Sequence, residues 1–168
     1  MTLAELNAMD EAAFIGAFGG IFEHSPWVAE RAFVERPFDS VDALHAAMAA
    51  AVDQASEDEQ LALLRAHPEL AGRAAVHGEL TIDSNKEQSG AGLAQCSPEE
   101  FERLTELNRR YNAKFGFPFI LAVKGHDRAS VIREFARRVE HDRASEFAES
   151  LAQVARIARY RLDALVTA

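Results

Sequence analysis

The sequence predicts a single all-α domain, and three observations support this fold class. Apolar residues recur at helical spacing through most of the chain, capping residues stand before several of these stretches, and only one short apolar run lacks a helical period. The chain has 168 residues, of which 48% are hydrophobic and 27% are charged, as in average soluble globular domains. We therefore expect residues 1–168 to form one single-domain helical bundle of about seven to nine helices.

The first half of the chain predicts short helices that begin at polar residues. Breaks near Gly19–Gly20 and at Ser25–Pro26 divide the N-terminal part into two or three short helices. Two further helices are predicted over 40–53 and 56–66, and each opens with a serine N-cap. Residues 67–83 show no clear period and are not assigned to plain helix.

The second half predicts three longer helices, over 97–115, 128–141 and 144–165. The first of them opens with a serine, a proline at the first helical position and a glutamate two residues later, which is typical of a helix start. Between the first two helices, residues 116–124 form an apolar run that contains Pro118. We expect this run to be one buried extended segment.

Composition excludes several classes of function. The chain has 27 acidic and 18 basic residues, a formal net charge of −9, and such a surface repels nucleic-acid phosphates and anionic lipids. Cys96 is the only cysteine, so neither an intramolecular disulfide nor a Cys-based zinc site can form. The six histidines show no metal-binding spacing, so we expect no metal. No signal peptide or membrane span is evident, so we expect a cytoplasmic protein.

His67 is a candidate for acid–base chemistry. It follows an amphipathic helix and precedes Pro68, which disfavours the α conformation at His67 and should end the helix there. A histidine at such a turn can face a cleft and exchange protons near neutral pH. The alternative is a structural histidine that contacts the last carbonyl groups of the helix.

The stretch from Ser84 to Glu87 matches a capping box, with Ser84 as N-cap and Glu87 three residues later. A helix N-terminus also presents free N–H groups, and the neighbouring Gln88 adds both a donor and an acceptor. A structural cap and a ligand-binding site therefore both remain open.

Arg161 lies near the middle of the apolar stripe of the last predicted helix, between Ala158 and Leu165. An unpaired buried charge is costly, so Arg161 must reach solvent, pair with a carboxylate or bind a ligand in a polar pocket. Of these, we favour ligand binding.

Five motifs resemble, in their order and spacing, the signatures of the 2-oxo-4-hydroxy-4-carboxy-5-ureidoimidazoline (OHCU) decarboxylase family. They lie within Glu23–Trp27, His67–Ala71, Ser84–Leu93, Leu107–Ile120 and Ala158–Leu162, and the resemblance covers nearly the whole chain. It implies an all-α homodimer without a cofactor that forms (S)-allantoin and CO2 in urate degradation. The chain lacks the fused modules and the peroxisomal tail of some relatives, so the resemblance points to a bacterial cytoplasmic form.

The resemblance also implies which residues act. His67 would be the catalytic acid or base, with Glu87 and Arg161 as its main charged partners. Further substrate contacts are implied at Pro68, Ser84, Gln88, Phe119 and Ile120. The alternative is a helical ligand-binding or adaptor domain on the same scaffold without turnover. A nucleic-acid-binding domain is disfavoured by the net charge of −9.

Overall fold

The structure is a computed structural model that describes residues 1–71 and 80–167. Within these ranges it contains nine α-helices, one short 3₁₀ helix over Leu93–Gln95 and no β-strand. The α-helices are α1 (Leu3–Ala8), α2 (Glu11–Phe18), α3 (Trp27–Phe33), α4 (Val41–Asp53), α5 (Glu57–Ala66), α6 (Ile82–Gly90), α7 (Pro98–Phe115), α8 (Arg128–Arg138) and α9 (Arg143–Leu165). The all-α prediction is confirmed.

The predicted serine caps explain where three of these helices begin. Ser40 caps α4 by accepting a hydrogen bond from a backbone N–H of its first turn. Ser56 and Glu59 form a reciprocal capping box at α5, and Ser97 and Glu100 form another at α7. Each box satisfies two backbone donors that a helix start would otherwise leave unpaired, which fixes the first turn.

Contacts divide the chain into two units. The first contains residues 1–66 and the part of α9 from Ala155 onward. Its core includes the buried side chains of Phe14, Leu44 and Leu162. The two chain ends meet in this unit, where the backbone N–H of Thr167 donates to the Met1 carbonyl at 2.7 Å.

The second unit contains residues 67–154. Leu104 and Leu107 of α7 and Phe135 of α8 are buried in its core, as the helical spacing predicts. Phe101, which the same stripe includes, is 42% exposed at the start of α7. The expectation that residues 1–168 form one domain stays a prediction.

The apolar run after α7 is buried, as predicted. Gly116 ends α7 in the left-handed region, with φ of +76°, a conformation that glycine adopts without steric cost. Residues 117–123 form neither helix nor strand. Phe117 and residues 119–123 are buried, and each is at most 5% exposed. A turn in which His126 N–H donates to the Val123 carbonyl at 2.9 Å closes the segment.

In the described part of the chain, none of the helices combines the length with the apolar character that a membrane span requires.

Candidate active site

His67 lies at the helix end that the sequence predicts. α5 ends at Ala66, and Pro68 follows immediately. The imidazole is buried, with the residue 7% exposed. Burial shields this group from bulk water, so its interactions with neighbouring polar groups are stronger than on the surface. The position therefore suits a proton-transfer group held in a shielded site.

Gln88 of α6 holds the chain that follows His67. Its Oε1 accepts from the backbone N–H of Ala71 at 3.0 Å, and its Nε2 donates to the Glu69 carbonyl at 3.3 Å. Ala71 has a φ of +51°, a left-handed conformation that is uncommon for alanine. The Gln88 amide therefore fixes an irregular turn two to four residues after His67.

Two asparagines of α7 hold the same turn. Asn108 Nδ2 donates to the Leu70 carbonyl at 3.0 Å, and Asn112 Nδ2 donates to Glu69 Oε1 at 2.5 Å. Sequence reasoning did not assign either residue to the site. The available signal is that Asn108 directly follows Leu107 on the buried side of α7, where a polar residue needs a partner.

The predicted N-cap at Ser84 is wrong. α6 begins at Ile82, and its N-cap is Thr81, whose Oγ1 accepts from the Ser84 N–H at 3.2 Å. Ser84 thus occupies the third helical position, where its own N–H is the group that is capped. A capping box from Ser84 to Glu87 is not formed, because both residues lie inside the helix.

The starting point at Thr81 places three predicted site residues on one face of α6. Ser84 and Gln88 are buried and Glu87 is half-buried, whereas Asn85 and Lys86 are exposed. Spacings of three and four residues bring side chains to the same side of a helix. The structure therefore brings Ser84, Glu87 and Gln88 together on a face that is shielded from solvent.

Phe119 and Ile120 are both in contact with one buried arginine, Arg138 of α8. The Arg138 guanidinium lies 4.5 Å from the centre of the Phe119 ring, and its Nη1 donates to the Ile120 carbonyl at 2.6 Å. Phe135 stacks on the same ring at 3.9 Å between centroids. Arg138 therefore holds Phe119 by its side chain and Ile120 by its backbone, and both residues are predicted substrate contacts.

Glu146 of α9 balances the charge of Arg138. The two side chains are fully buried and lie 2.8 Å apart. Tyr111 Oη donates to Glu146 Oε2 at 2.5 Å. Burial, followed by the hydrogen bond to Glu146, raises the pKa of the Tyr111 phenol well above its ordinary value. Tyr111 therefore stays protonated as a donor.

Arg161 lies on the part of α9 that belongs to the first unit. Its Nη2 donates to Glu23 Oε1 at 2.9 Å, and its Nη1 donates to the Ile21 carbonyl at 3.2 Å. The Arg161 side chain is 5% exposed and that of Glu23 is 2% exposed. Arg161 therefore does not extend to bulk solvent, and a carboxylate is one of its partners.

Cys96 does not have the features of a reactive thiol in the described structure. Partial burial, followed by the charge of Glu100, raises the pKa of the Cys96 thiol, which is opposite to the shift of a reactive thiolate.

Among residues 1–71 and 80–167, no group of three His, Cys, Asp or Glu side chains is placed to hold a metal ion.

Comparison with known proteins identifies the family. The family model described as OHCU decarboxylase matches residues 7–163. The OHCU decarboxylase of Haloferax volcanii is 46% identical over 96% of this chain and 94% of its own length, and that of Halalkalicoccus jeotgali is 43% identical over 98% and 92%. A solved (S)-allantoin synthase is 32% identical with a TM-score of 0.81 over 99% of this chain, which spans 54% of that longer chain. The chain therefore belongs to the OHCU decarboxylase family.

Proposed function

We propose that this protein decarboxylates OHCU to (S)-allantoin and CO2 in urate degradation. The observation that carries the proposal is the shielded face of α6, whose Gln88 binds the backbone that directly follows His67 and Pro68. These two hydrogen bonds connect α6, which also carries Glu87, with the chain that follows His67. This connection occurs in a protein that matches the OHCU decarboxylase family over residues 7–163.

The substrate can accept the electrons that decarboxylation releases. Its carboxylate is attached to a carbon that also bears a hydroxyl group and that adjoins a C=N bond. When the carbon–carboxylate bond breaks, CO2 leaves and the electron pair flows into the C=N group, whose nitrogen takes up a proton. The resulting enol loses its hydroxyl proton and gains a proton on the neighbouring carbon. The protein must therefore orient the ring and deliver that proton to one face, and no cofactor is needed as an electron sink.

His67 is the proton-transfer group in this proposal. An imidazole can accept the hydroxyl proton and return a proton to carbon near neutral pH. Glu87, on the same face of α6 as Gln88, orients the imidazole and stabilises its protonated form. Delivery of the proton from one side would account for the handedness of the product.

Binding of the substrate is assigned to the backbone at Phe119 and Ile120 and to Pro68, Ser84 and Gln88. Backbone N–H and C=O groups can pair with the ureido and ring groups of the substrate, which carry both donors and acceptors. Arg161 is proposed to bind an anionic or carbonyl part of the substrate, because a guanidinium forms charge-assisted hydrogen bonds with such groups.

The decisive experiment measures the chirality of allantoin formed from freshly generated OHCU. Urate, uricase and hydroxyisourate hydrolase supply the substrate, and circular dichroism follows the product with and without this protein. We expect rapid formation of (S)-allantoin that persists after exhaustive chelation. A racemate formed at the spontaneous rate would contradict the proposal. Binding of allantoin without turnover would instead favour the non-catalytic alternative.

We further propose that the protein is a cytoplasmic homodimer. We also propose that it binds its small-molecule substrate and neither nucleic acid nor membrane. The formal net charge of −9 supports the proposal that it binds no nucleic acid or membrane, because acidic surfaces repel phosphate groups. Light scattering coupled to size-exclusion chromatography tests the dimer, and a mass of one chain would contradict it.

A further inference from the structure

We propose that Arg138 and Gln153 are positioning residues of this site. They hold the backbone of Ile120 and Ala122 in the arrangement that the substrate meets. Neither residue touches the reacting atoms in this proposal, and each acts through the buried segment over 117–123. The inference rests on the proposed function, because that function gives the segment its role in substrate binding.

The segment obtains backbone partners from side chains instead of from a helix or sheet. It is assigned to neither regular structure, although its residues are buried. Buried backbone N–H and C=O groups need hydrogen-bond partners. The Ile120 carbonyl accepts from Arg138 Nη1 at 2.6 Å, and the Ala122 N–H donates to Gln153 Oε1 at 2.9 Å. Two side chains therefore define the local path of the chain.

Arg138 fixes two adjacent residues at once. Its guanidinium contacts the Phe119 ring and the Ile120 carbonyl. Its Nε and Nη2 donate to Glu146, and Nη2 also donates to Ser150 Oγ at 3.3 Å. Desolvation offsets most of the attraction in a buried ion pair, so such a pair adds little net stability. The planar fork of the guanidinium does, however, impose directions on every group that it binds. The main effect of this pair is therefore on geometry.

Gln153 gives the cleaner test because it carries no charge. Its Nε2 donates to Glu149 Oε1 at 2.9 Å, which turns Oε1 towards the Ala122 N–H. Replacing Gln153 by methionine keeps the length of the side chain but removes the strong acceptor. Exchanging the two groups, as Gln153→Glu with Glu149→Gln, preserves both hydrogen bonds. The side chain at position 153 still accepts from the Ala122 N–H, and in the bond between positions 149 and 153 the donor and the acceptor change places. This double variant is the rescue control.

The experiment measures kcat and KM for OHCU, together with the melting temperature. Gln153→Met should raise KM about tenfold, which corresponds to one hydrogen bond of ordinary strength. The kcat should change less, because a misplaced binding group weakens substrate and transition state alike. The double variant should restore KM. Tyr111→Phe removes a hydrogen bond to Glu146 but keeps the ring that packs against Phe117 and Phe119, so it should lower the melting temperature and leave KM unchanged.

Three results would overturn the proposal. They are a wild-type KM in folded Gln153→Met, an equal rise of KM in the rescue variant, and an equal rise of KM in Tyr111→Phe. If Gln153→Met does not fold, Arg138→Lys replaces it: this variant keeps the charge beside Glu146 but loses the fork, and it should raise KM. Failure of the proposed function is a separate result, because it appears in the wild-type protein as absence of turnover.

Discussion

Replacing Arg161 by methionine should destabilise the protein, because it leaves the Glu23 carboxylate buried without its guanidinium partner. The two side chains are 5% and 2% exposed and lie 2.9 Å apart. Breaking a buried pair from one side typically costs ~3–5 kcal/mol. At the usual slope for a chain of this size, that loss lowers the melting temperature by roughly 6–20 °C.

Arg159 supplies the matched control, because it lies on the same helix and pairs at the surface. It binds Asp163 at 2.8 Å and is 37% exposed. Exposed pairs contribute about 0–1 kcal/mol, so Arg159→Met should shift the melting temperature far less. Calorimetry at constant pH measures both variants. Equal, small shifts in the two variants would refute the argument that a buried Glu23–Arg161 pair supports the fold.

The double variant Glu23→Leu with Arg161→Met separates the two possible roles of Arg161. Replacing both charges by apolar groups removes the stranded carboxylate, so much of the stability should return. If Arg161 also binds substrate, the folded double variant loses roughly 1.5–3 kcal/mol of substrate binding, the range for a hydrogen bond to a charged group. Unchanged KM in a stable double variant would show that Arg161 is structural only.

Three further predictions concern the site and the helix caps. His67→Asn should retain its melting temperature but lose about 10²–10⁴-fold in kcat. The kcat of Glu87→Gln should lie between that of His67→Asn and that of the wild type. Near-normal turnover in folded His67→Asn would exclude His67 from the mechanism. Thr81→Ala should lower stability by about 1 kcal/mol in denaturant unfolding, because Thr81 caps α6, and no loss would argue against that cap. The hydrogen bond from the Ser97 backbone N–H lowers the pKa of Glu100 below its ordinary 4.5. The stabilising effect of Glu100 therefore exists above that value and is lost as the pH falls through the lowered pKa. The melting temperature should therefore fall on acidification below about pH 4.5, and less steeply in Glu100→Gln; parallel curves would exclude this contribution.

The helices could be predicted because the interactions that start them are local. Ser97 and Glu100 lie three residues apart, and their reciprocal bonds form within one turn. The same rule failed at α6, because Ser84 has a glutamate three residues later and Thr81 does not. The capping-box spacing therefore favours Ser84, although Thr81 is the cap. The structure uses Thr81, which places Ser84 inside the helix on its buried face.

The need for a partner at Arg161 could be predicted, but the partner could not. The apolar stripe shows that a charge falls where burial is expected, whereas Glu23 lies 138 residues away in sequence. The same argument applies to Arg138, which follows Val131 and Phe135 at the spacing of one helix face. The apolar stripe of α8 therefore indicates a second buried arginine at position 138. Its partner Glu146 lies only eight residues further along the chain.

Two irregular segments of the second unit, residues 69–71 and 117–123, share one structural solution. Gln88 binds the backbone after His67, and Arg138 and Gln153 bind the backbone of the segment over 117–123. In each case a buried side chain from a helix supplies the partner that a strand would otherwise provide. Irregular backbone leaves its N–H and C=O groups open to other partners, and side-chain anchors make its position depend on a few residues. Substitutions at these anchors should therefore change substrate affinity before they unfold the helices.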